Sequence, residues 1–291
     1  VNVRPATRED FPALAELFAT SEEAVTGRPS IVVAGDVDGW LHTTPLETNT
    51  WLFEEGGTLL AGGFAQLFDE RANAAGTVHP SAWGRGLGAQ LLDLIEARMV
   101  EEGGGRIHCW TVAGDTAADE LFSARGYREV RRFWDMEIQL EDDPPEPDVA
   151  VEPMGDDARG FHAALEEAFA DHWEHRPESF EDWWGRQRER SNYDPSLWFV
   201  VRDGDEVAAA ARNEARETGG YVGALGVRRA WRGRGYGRAL LLHTFREFRR
   251  RGLSHVALGV DAANPTGATR LYESVGMEVA LENVVWAKAL R

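Results

Sequence analysis

Between residues 157 and 170, Phe161, Leu165, Ala168 and Phe169 recur at the spacing of one helix face, so a helix is expected there. A second, tryptophan-rich helix is expected over 177–190, with Pro177 near its start. The apolar runs 197–202, 207–213 and 221–227 read as successive strands, the first two joined by a turn at Asp203-Gly204-Asp205. A short strand over 149–153 precedes them. Residues 235–251 form a helical pattern whose inner face is Leu241, Leu242, Phe245 and Phe248. Arg249, Arg250 and Arg251 close it where a helix end favours cations, and Gly252 supplies the stop. A strand over 255–260 follows, then a helix capped by Asn264, opening at Pro265 and ending at Gly276, then closing strands over 277–289. The first 140 residues follow the same order less clearly.

That likeness of order is a repeat. Trp83-Gly84-Arg85-Gly86-Leu87-Gly88 returns as Arg232-Gly233-Arg234-Gly235-Tyr236-Gly237, 149 positions later. Leu121-Phe122-Ser123-Ala124-Arg125-Gly126 returns as Leu271-Tyr272-Glu273-Ser274-Val275-Gly276, 150 positions later. Two matches at nearly one offset point to a duplicated α/β domain. Glu141-Asp142-Asp143-Pro144-Pro145-Glu146-Pro147-Asp148 is acidic and proline-rich, so an extended, solvated linker is expected. The expected division is a first domain over 1–140, a linker over 141–148 and a second domain over 149–291.

Charge separates the halves. The chain of 291 residues carries a formal net charge of −18, with 27 acidic and 11 basic residues in 1–148 and 22 and 20 in 149–291. An acidic half of this kind argues against nucleic acid as a partner. No apolar run reaches the ~18–20 residues that span a bilayer, so no membrane partner is expected. Residues 1–5 lack the basic-then-apolar pattern of an export signal, and Cys109 has no second cysteine to pair with. A reducing, cytoplasmic location is the expectation. No Cys/His spacing of the metal-binding kind is present in the sequence.

The strand, glycine turn and amphipathic helix around residue 235 suit an anion. Glycines let the backbone approach it, and the first helical turn offers unpaired amides and about half a positive charge. Arg232, Arg234 and Arg238 add full charges. A P-loop would need Gly-Lys-Ser/Thr where Tyr236-Gly237-Arg238 stands, and a dinucleotide fingerprint would place its third glycine elsewhere. An exposed turn with no ligand is the bland alternative.

Leu225-Gly226-Val227, the run Arg232 to Gly237 and the block Ala268 to Met277 resemble the motifs of the GNAT acetyltransferase superfamily, in family order. The tandem arrangement, and the stretches 169–173 and 194–200, resemble its mycothiol synthase group. The resemblance implies two tandem GNAT-like domains, each a mixed, mostly antiparallel sheet flanked by helices. It implies acetyl-CoA as co-substrate, with its diphosphate on Arg232, Gly233, Arg234, Gly235, Tyr236, Gly237 and Arg238. Backbone groups of Leu225 and Val227 would meet the pantetheine arm, with the Val227 amide near the thioester carbonyl. Asn264 would touch the same arm. Tyr272 would protonate the departing thiolate. Tyr221 stands on the strand where the mycothiol synthase group carries a glutamate base.

The general base is open among Asp171, His172 and Glu214. Asp171, His172, Trp173 and Tyr221 are candidate acceptor contacts, and Trp173, Trp183, Trp184 and Trp198 are either an aromatic cleft or packing. The first half keeps Val78, Gly84, Arg85, Gly86, Leu87 and Gly88 as a possible second CoA site. It has Trp83 for Arg232 and Phe122 for Tyr272, and its acidity opposes a polyanion, so no catalysis is expected from it. The expected reaction is direct attack of a small-molecule amine on acetyl-CoA in a ternary complex, by a monomer or homodimer. A non-catalytic acyl-CoA-binding module and a protein-modifying acetyltransferase are the competing readings.

Overall fold

The computed structural model describes every residue except Ser191, Pro265 and Arg291. The chain divides into two compact units: unit 1 is Val1–Phe133 with Leu281–Arg291, and unit 2 is Trp134–Ala280. This division differs from a cut at the linker, because each half of the sequence lends its last strand away. No helix among the described residues is long and apolar enough to cross a membrane.

Unit 1 runs β1 (Asn2–Arg4), α1 (Phe11–Thr26), α2 (Ala34–Leu41), α3 (Leu46–Asn49), β2 (Thr50–Glu55), β3 (Thr58–Phe68) and β4 (Arg71–Val78). It continues through α4 (Leu87–Glu101), β5 (Arg106–Val112), α5 (Thr116–Ala124) and the start of β6 (Arg128–Gln139). Its sheet has the order β1-β2-β3-β4-β5, completed by the chain's last strand, β12 (Glu278–Ala289). Neighbours are antiparallel except β4 and β5, which are parallel. Val284, Trp286 and Leu290 join the unit 1 core beside Phe122, Leu91 and Ile95. Lys288, the chain's one lysine, anchors β12 by bonding Glu96 at 2.8 and 3.0 Å.

Unit 2 holds β7 (Glu152–Pro153), α6 (Ala158–Phe169), α7 (Phe180–Arg188), β8 (Trp198–Asp203), β9 (Glu206–Arg216) and β10 (Gly219–Val227). α8 (Tyr236–Arg250), β11 (His255–Asp261) and α9 (Ala268–Ser274) follow. Its sheet order is β6-β11-β10-β9-β8-β7, with β10 and β11 parallel and β10-β9-β8-β7 antiparallel. Met136 and Leu140 of β6 and its continuation lie in this core. α8 buries Leu240, Leu241, Phe245 and Phe248 completely or nearly so, as its apolar spacing requires.

Three expectations change. The linker is extended but not free: Arg246 bonds the Pro144 carbonyl at 2.7 Å and the Glu146 carboxylate, and Arg249 bonds the Glu141 carbonyl at 3.1 Å. The last helix opens at Ala268 with Gly267 before it, and the Asn264 side chain instead accepts from the Thr266 amide at 2.8 Å, closing a local turn. Pro265, where that helix was expected to open, lies outside the described residues. Residues 278–289 form one strand, not several.

Candidate active site

The site is built where β10 passes through a tight corner into α8. Gly233 and Gly235 have φ of +77° and +80°, a region that side chains with a Cβ enter at a cost of ~1–2 kcal/mol. A Cβ added at either would meet nothing within 4 Å, so the space in front of the corner is open. Ala239 is the first residue whose amide closes the helical ladder, onto the Gly235 carbonyl at 3.0 Å. The amides before it are the unpaired donors of the helix start. This cradle fits the diphosphate of a coenzyme.

The arginines differ in role. Arg232 turns inward: its Nε donates to the Val227 carbonyl at 3.2 Å and an Nη to the Ala168 carbonyl at 3.3 Å, tying strand, corner and α6 together. Arg234 and Arg238 stand outside with long ion pairs, to Asp203 at 3.5 Å and Asp148 at 3.9 Å. Tyr236 opens α8, and Gly237 lets that helix sit against Val227 and Leu271.

β10 presents an open edge. Its ladder with β9 shifts register between Val222 and Ala224, a bulge at Gly223. It pairs with β11 only at Gly220 with Val256 and Tyr221 with Ala257. The Arg228 amide bonds the Ala208 carbonyl on β9 at 3.0 Å. Amide direction alternates along a strand, so the amides of Leu225 and Val227 point away from β9, into the gap beside β11.

Tyr272, on α9, is buried, and burial with the neighbouring Tyr221 phenol pushes its hydroxyl up to about 12. It is therefore protonated at neutral pH. Burial also raises the Tyr221 phenol, with Arg216 opposing and Asp135 reinforcing the shift. The Arg216 guanidinium lies 3.5 Å from the centre of the Tyr221 ring.

The proposed bases separate. Burial works to raise the Glu214 carboxyl, but Arg212, Arg190 and Arg216 outweigh it and hold it anionic. Glu214 accepts from Arg190 at 2.9 Å, Asn192 at 2.8 Å, Arg216 and Arg212, so its lone pairs are engaged. Asp171 is paired with Arg229. His172 packs its ring on Phe169 at 4.2 Å, and burial, against the pull of Asp261, keeps the imidazole neutral. Arg232 adds to the downward shift. Trp183 and Trp198 are buried core residues, Trp184 packs beside them and Trp173 is half-buried, so the first two are packing rather than cleft. Sequence reading missed the Arg190–Arg212–Glu214–Arg216 cluster. The charge alternation Arg212, Glu214, Arg216 on one strand face was its visible signal.

Unit 1 repeats the corner. Gly84 and Gly86 have φ of +75° and +76°, again with open space beside them. The Trp83 indole donates to the Val78 carbonyl at 2.8 Å, the bond Arg232 makes to Val227. Gly88 approaches Val78 and Leu121 as Gly237 approaches Val227 and Leu271. Leu87 is buried, and Arg85 pairs with Glu55 at 2.9 Å. Phe122, at the position of Tyr272, is stacked on Trp286 at 5.8 Å.

Comparison with known proteins agrees with this geometry. The sequence profile of the acetyltransferase (GNAT) family matches residues 12–127 and 159–277. The chain is 36% identical over 213 residues to a mycothiol acetyltransferase of Thermobispora bispora, covering 68% of this chain and 70% of that protein. It is 28% identical over 302 residues to one of Catenulispora acidiphila, covering 94% of each. Among solved structures, a GCN5-related N-acetyltransferase from Sphaerobacter thermophilus matches with TM-score 0.88 and 31% identity, over 100% of this chain and 96% of that one. A tandem GNAT protein of the clavulanic acid biosynthesis pathway shares the fold, with TM-score 0.75 at 16% identity over 100% of this chain and 98% of that one.

Proposed function

The chain belongs to the GNAT acetyltransferase family, and on that footing we propose that unit 2 transfers the acetyl group of acetyl-CoA to a primary amine of a small molecule, while unit 1 carries out no transfer. What supports this reading is that unit 2 has the open glycine corner, a β10 whose pairing with β11 stops at Tyr221, and the buried Tyr272 phenol on α9, the helix whose Leu271 packs on Gly237. The small-molecule class is supported by the relatives named mycothiol acetyltransferase.

Acetyl-CoA supplies the activated acyl group. The amides of the α8 start hold the diphosphate, and Arg234 and Arg238, on loose ion pairs, turn toward it. The edge amides of Leu225 and Val227 hold the arm as an added strand would be held. The Val227 amide stabilises charge developing on the carbonyl oxygen. Tyr272 gives its proton to the leaving sulfur, a role worth ~10²–10⁴-fold. His172, whose imidazole burial draws below its ordinary value, takes the proton of the attacking amine. No covalent enzyme intermediate is involved, because the amine attacks directly.

The test is thiol release from acetyl-CoA with a panel of small amines, followed for the full chain and for Tyr272→Phe. Amine-dependent release that falls at least about tenfold in the variant supports the reading. Release that is equal in the two proteins contradicts it.

A further inference from the structure

β9 carries Arg212, Glu214 and Arg216 on one face of the unit 2 sheet. That face is the one covered by α6. Gly226 is paired with Ala210, two residues before Arg212, and packs on Leu165, Ala168 and Phe169. The opposite face carries Asn213, which bonds Thr244 of α8 at 3.2 Å. Arg190 and Asn192, in the connection after α7, reach the same cluster through Glu214. Tyr221 lies directly across the ladder from Glu214, and its phenol is the neighbour of Tyr272. The cluster therefore adjoins the acyl-transfer centre proposed above.

Its arginines converge on one buried carboxylate: Arg190, Arg212 and Arg216 all pair with Glu214. Arg190, Arg212 and Arg216 bring three guanidinium groups. Glu214 and Asp135, which acts on the Tyr221 phenol, bring two carboxylates, and Arg186 adds a further positive field from α7 although it is paired with Glu178. Burial, with Glu214 opposing and Arg212 and Arg216 reinforcing it, draws the Arg190 guanidinium below its ordinary value. The three arginine side chains stay 14–28% exposed while Glu214 is 3% exposed, so solvent reaches the guanidinium groups. The bulge makes room for this arrangement: a Cβ at Gly223 would stand 2.8 Å from an Arg212 Nη and 3.1 Å from a Glu214 Oε.

Unit 1 gives a control within the molecule. Counting along the ladders from Val227 with Ala209 and from Val78 with Ala61, Arg212 corresponds to Phe64, Glu214 to Gln66, Arg216 to Phe68 and Tyr221 to Asn73. The charged stripe exists only in the unit that keeps the phenol of Tyr272.

We propose that the amine accepted by unit 2 carries an oxyanion, a carboxylate or a phosphate, held by Arg190, Arg212 and Arg216. The planar fork of arginine matches both groups. Docking it there places the amine of a short acceptor toward Tyr221 and the acyl centre. The proposal rests on the acetyltransferase reading and narrows its acceptor.

The experiment uses the full chain with acetyl-CoA and matched amine pairs: glycine and glycinamide, β-alanine and β-alaninamide, glucosamine 6-phosphate and glucosamine. The charged member should exceed the neutral one in kcat/KM by about tenfold or more. The carboxylate and phosphate arms tell which oxyanion is preferred. Arg190→Gln should remove most of that preference with the dissociation constant of acetyl-CoA unchanged, and Arg190→Lys should restore part of it. Arg190 is chosen because Arg212→Gln would strand the buried Glu214 and risk the fold. If no amine turns over although calorimetry shows acetyl-CoA bound, binding of glutarate and of inorganic phosphate to the loaded chain decides. Binding lost in Arg190→Gln supports the proposal, and no binding overturns it. Neutral amines accepted as well as charged ones, or a preference untouched by Arg190→Gln, also overturn it. A chain that binds no acetyl-CoA overturns the acetyltransferase reading itself, and this proposal with it.

Discussion

The two glycine corners are nearly the same object in two chemical settings. The φ angles at Gly84 and Gly86 match those at Gly233 and Gly235 within a few degrees, and each corner is tied by a side-chain donor to the carbonyl of the strand residue before it. Everything that would handle a thioester differs. Unit 1 has an indole for the Arg232 guanidinium, Phe122 for Tyr272 and a β3–β4 ladder without a bulge. Its parallel pair β4–β5 also stays zipped over five residue pairs, where β10–β11 holds two. A strand-to-helix corner is needed by the fold in both units, so its backbone persists. The Tyr272 phenol and the opened strand edge, to which the proposed function gives the chemistry, occur in unit 2 and have no counterpart at Phe122 or along β4–β5.

Exchanging the two phenyl positions should break the comparison most sharply. Tyr272→Phe is expected to lower kcat by ~10²–10⁴-fold while acetyl-CoA still binds, and Phe122→Tyr to leave kcat where it was. Steady-state thiol release measures both. A loss on the unit 1 side would show that unit 1 takes part in the chemistry.

Trp286→Ala tests which unit the last strand serves. The residue belongs to the second half of the sequence but packs in the unit 1 core. A loss of ~3–5 kcal/mol is expected in unit 1, read by hydrogen exchange as lost protection of β4 and β5 with β9 and β10 spared.

Gly235→Ala and Gly86→Ala place the same strain of ~1–2 kcal/mol in the two corners. Thermal shifts should be alike for the two variants. Only Gly235→Ala should raise the KM for acetyl-CoA, by about tenfold, because the proposed function seats the coenzyme on that corner alone.

The smallest effect is in acid. The folded Glu214 carboxyl lies below its ordinary 4.5, because the three arginines outweigh burial, so its share of unit 2 stability is complete above about that pH. The share is lost as pH falls through the lower folded value. Asp10 of unit 1, lowered from 3.8 to about 2 chiefly by its bond to Arg4, behaves alike in its own unit. Glu214→Gln should flatten the acid limb of unit 2 alone and Asp10→Asn that of unit 1 alone, followed by hydrogen exchange from pH 7 down to 3.

The corner, α8 and the duplication were legible because each leaves a local mark: glycines at fixed spacing, a helical apolar stripe and one offset for two motifs. The exchange of last strands was not. The alternation in residues 278–289 states that a strand forms and which face it buries, but not whose edge it joins. The bulge at Gly223 was hidden for a related reason, since a register shift belongs to a pair of strands rather than to either sequence. Asn264 misled because its side chain caps turns and helices with the same oxygen, and here it closes a turn ahead of the helix. The arginine cluster draws on the α7–β8 connection as well as β9, so only folding brings Arg190 to Glu214.

The structure of the full chain with acetyl-CoA bound tests the central claim most directly. The account predicts the diphosphate against the amides at the start of α8, the arm along the free edge of β10 and the sulfur within hydrogen-bond reach of the Tyr272 hydroxyl. Coenzyme seated on the Gly84–Gly86 corner instead, or bound in unit 2 with its sulfur turned away from Tyr272, would contradict it.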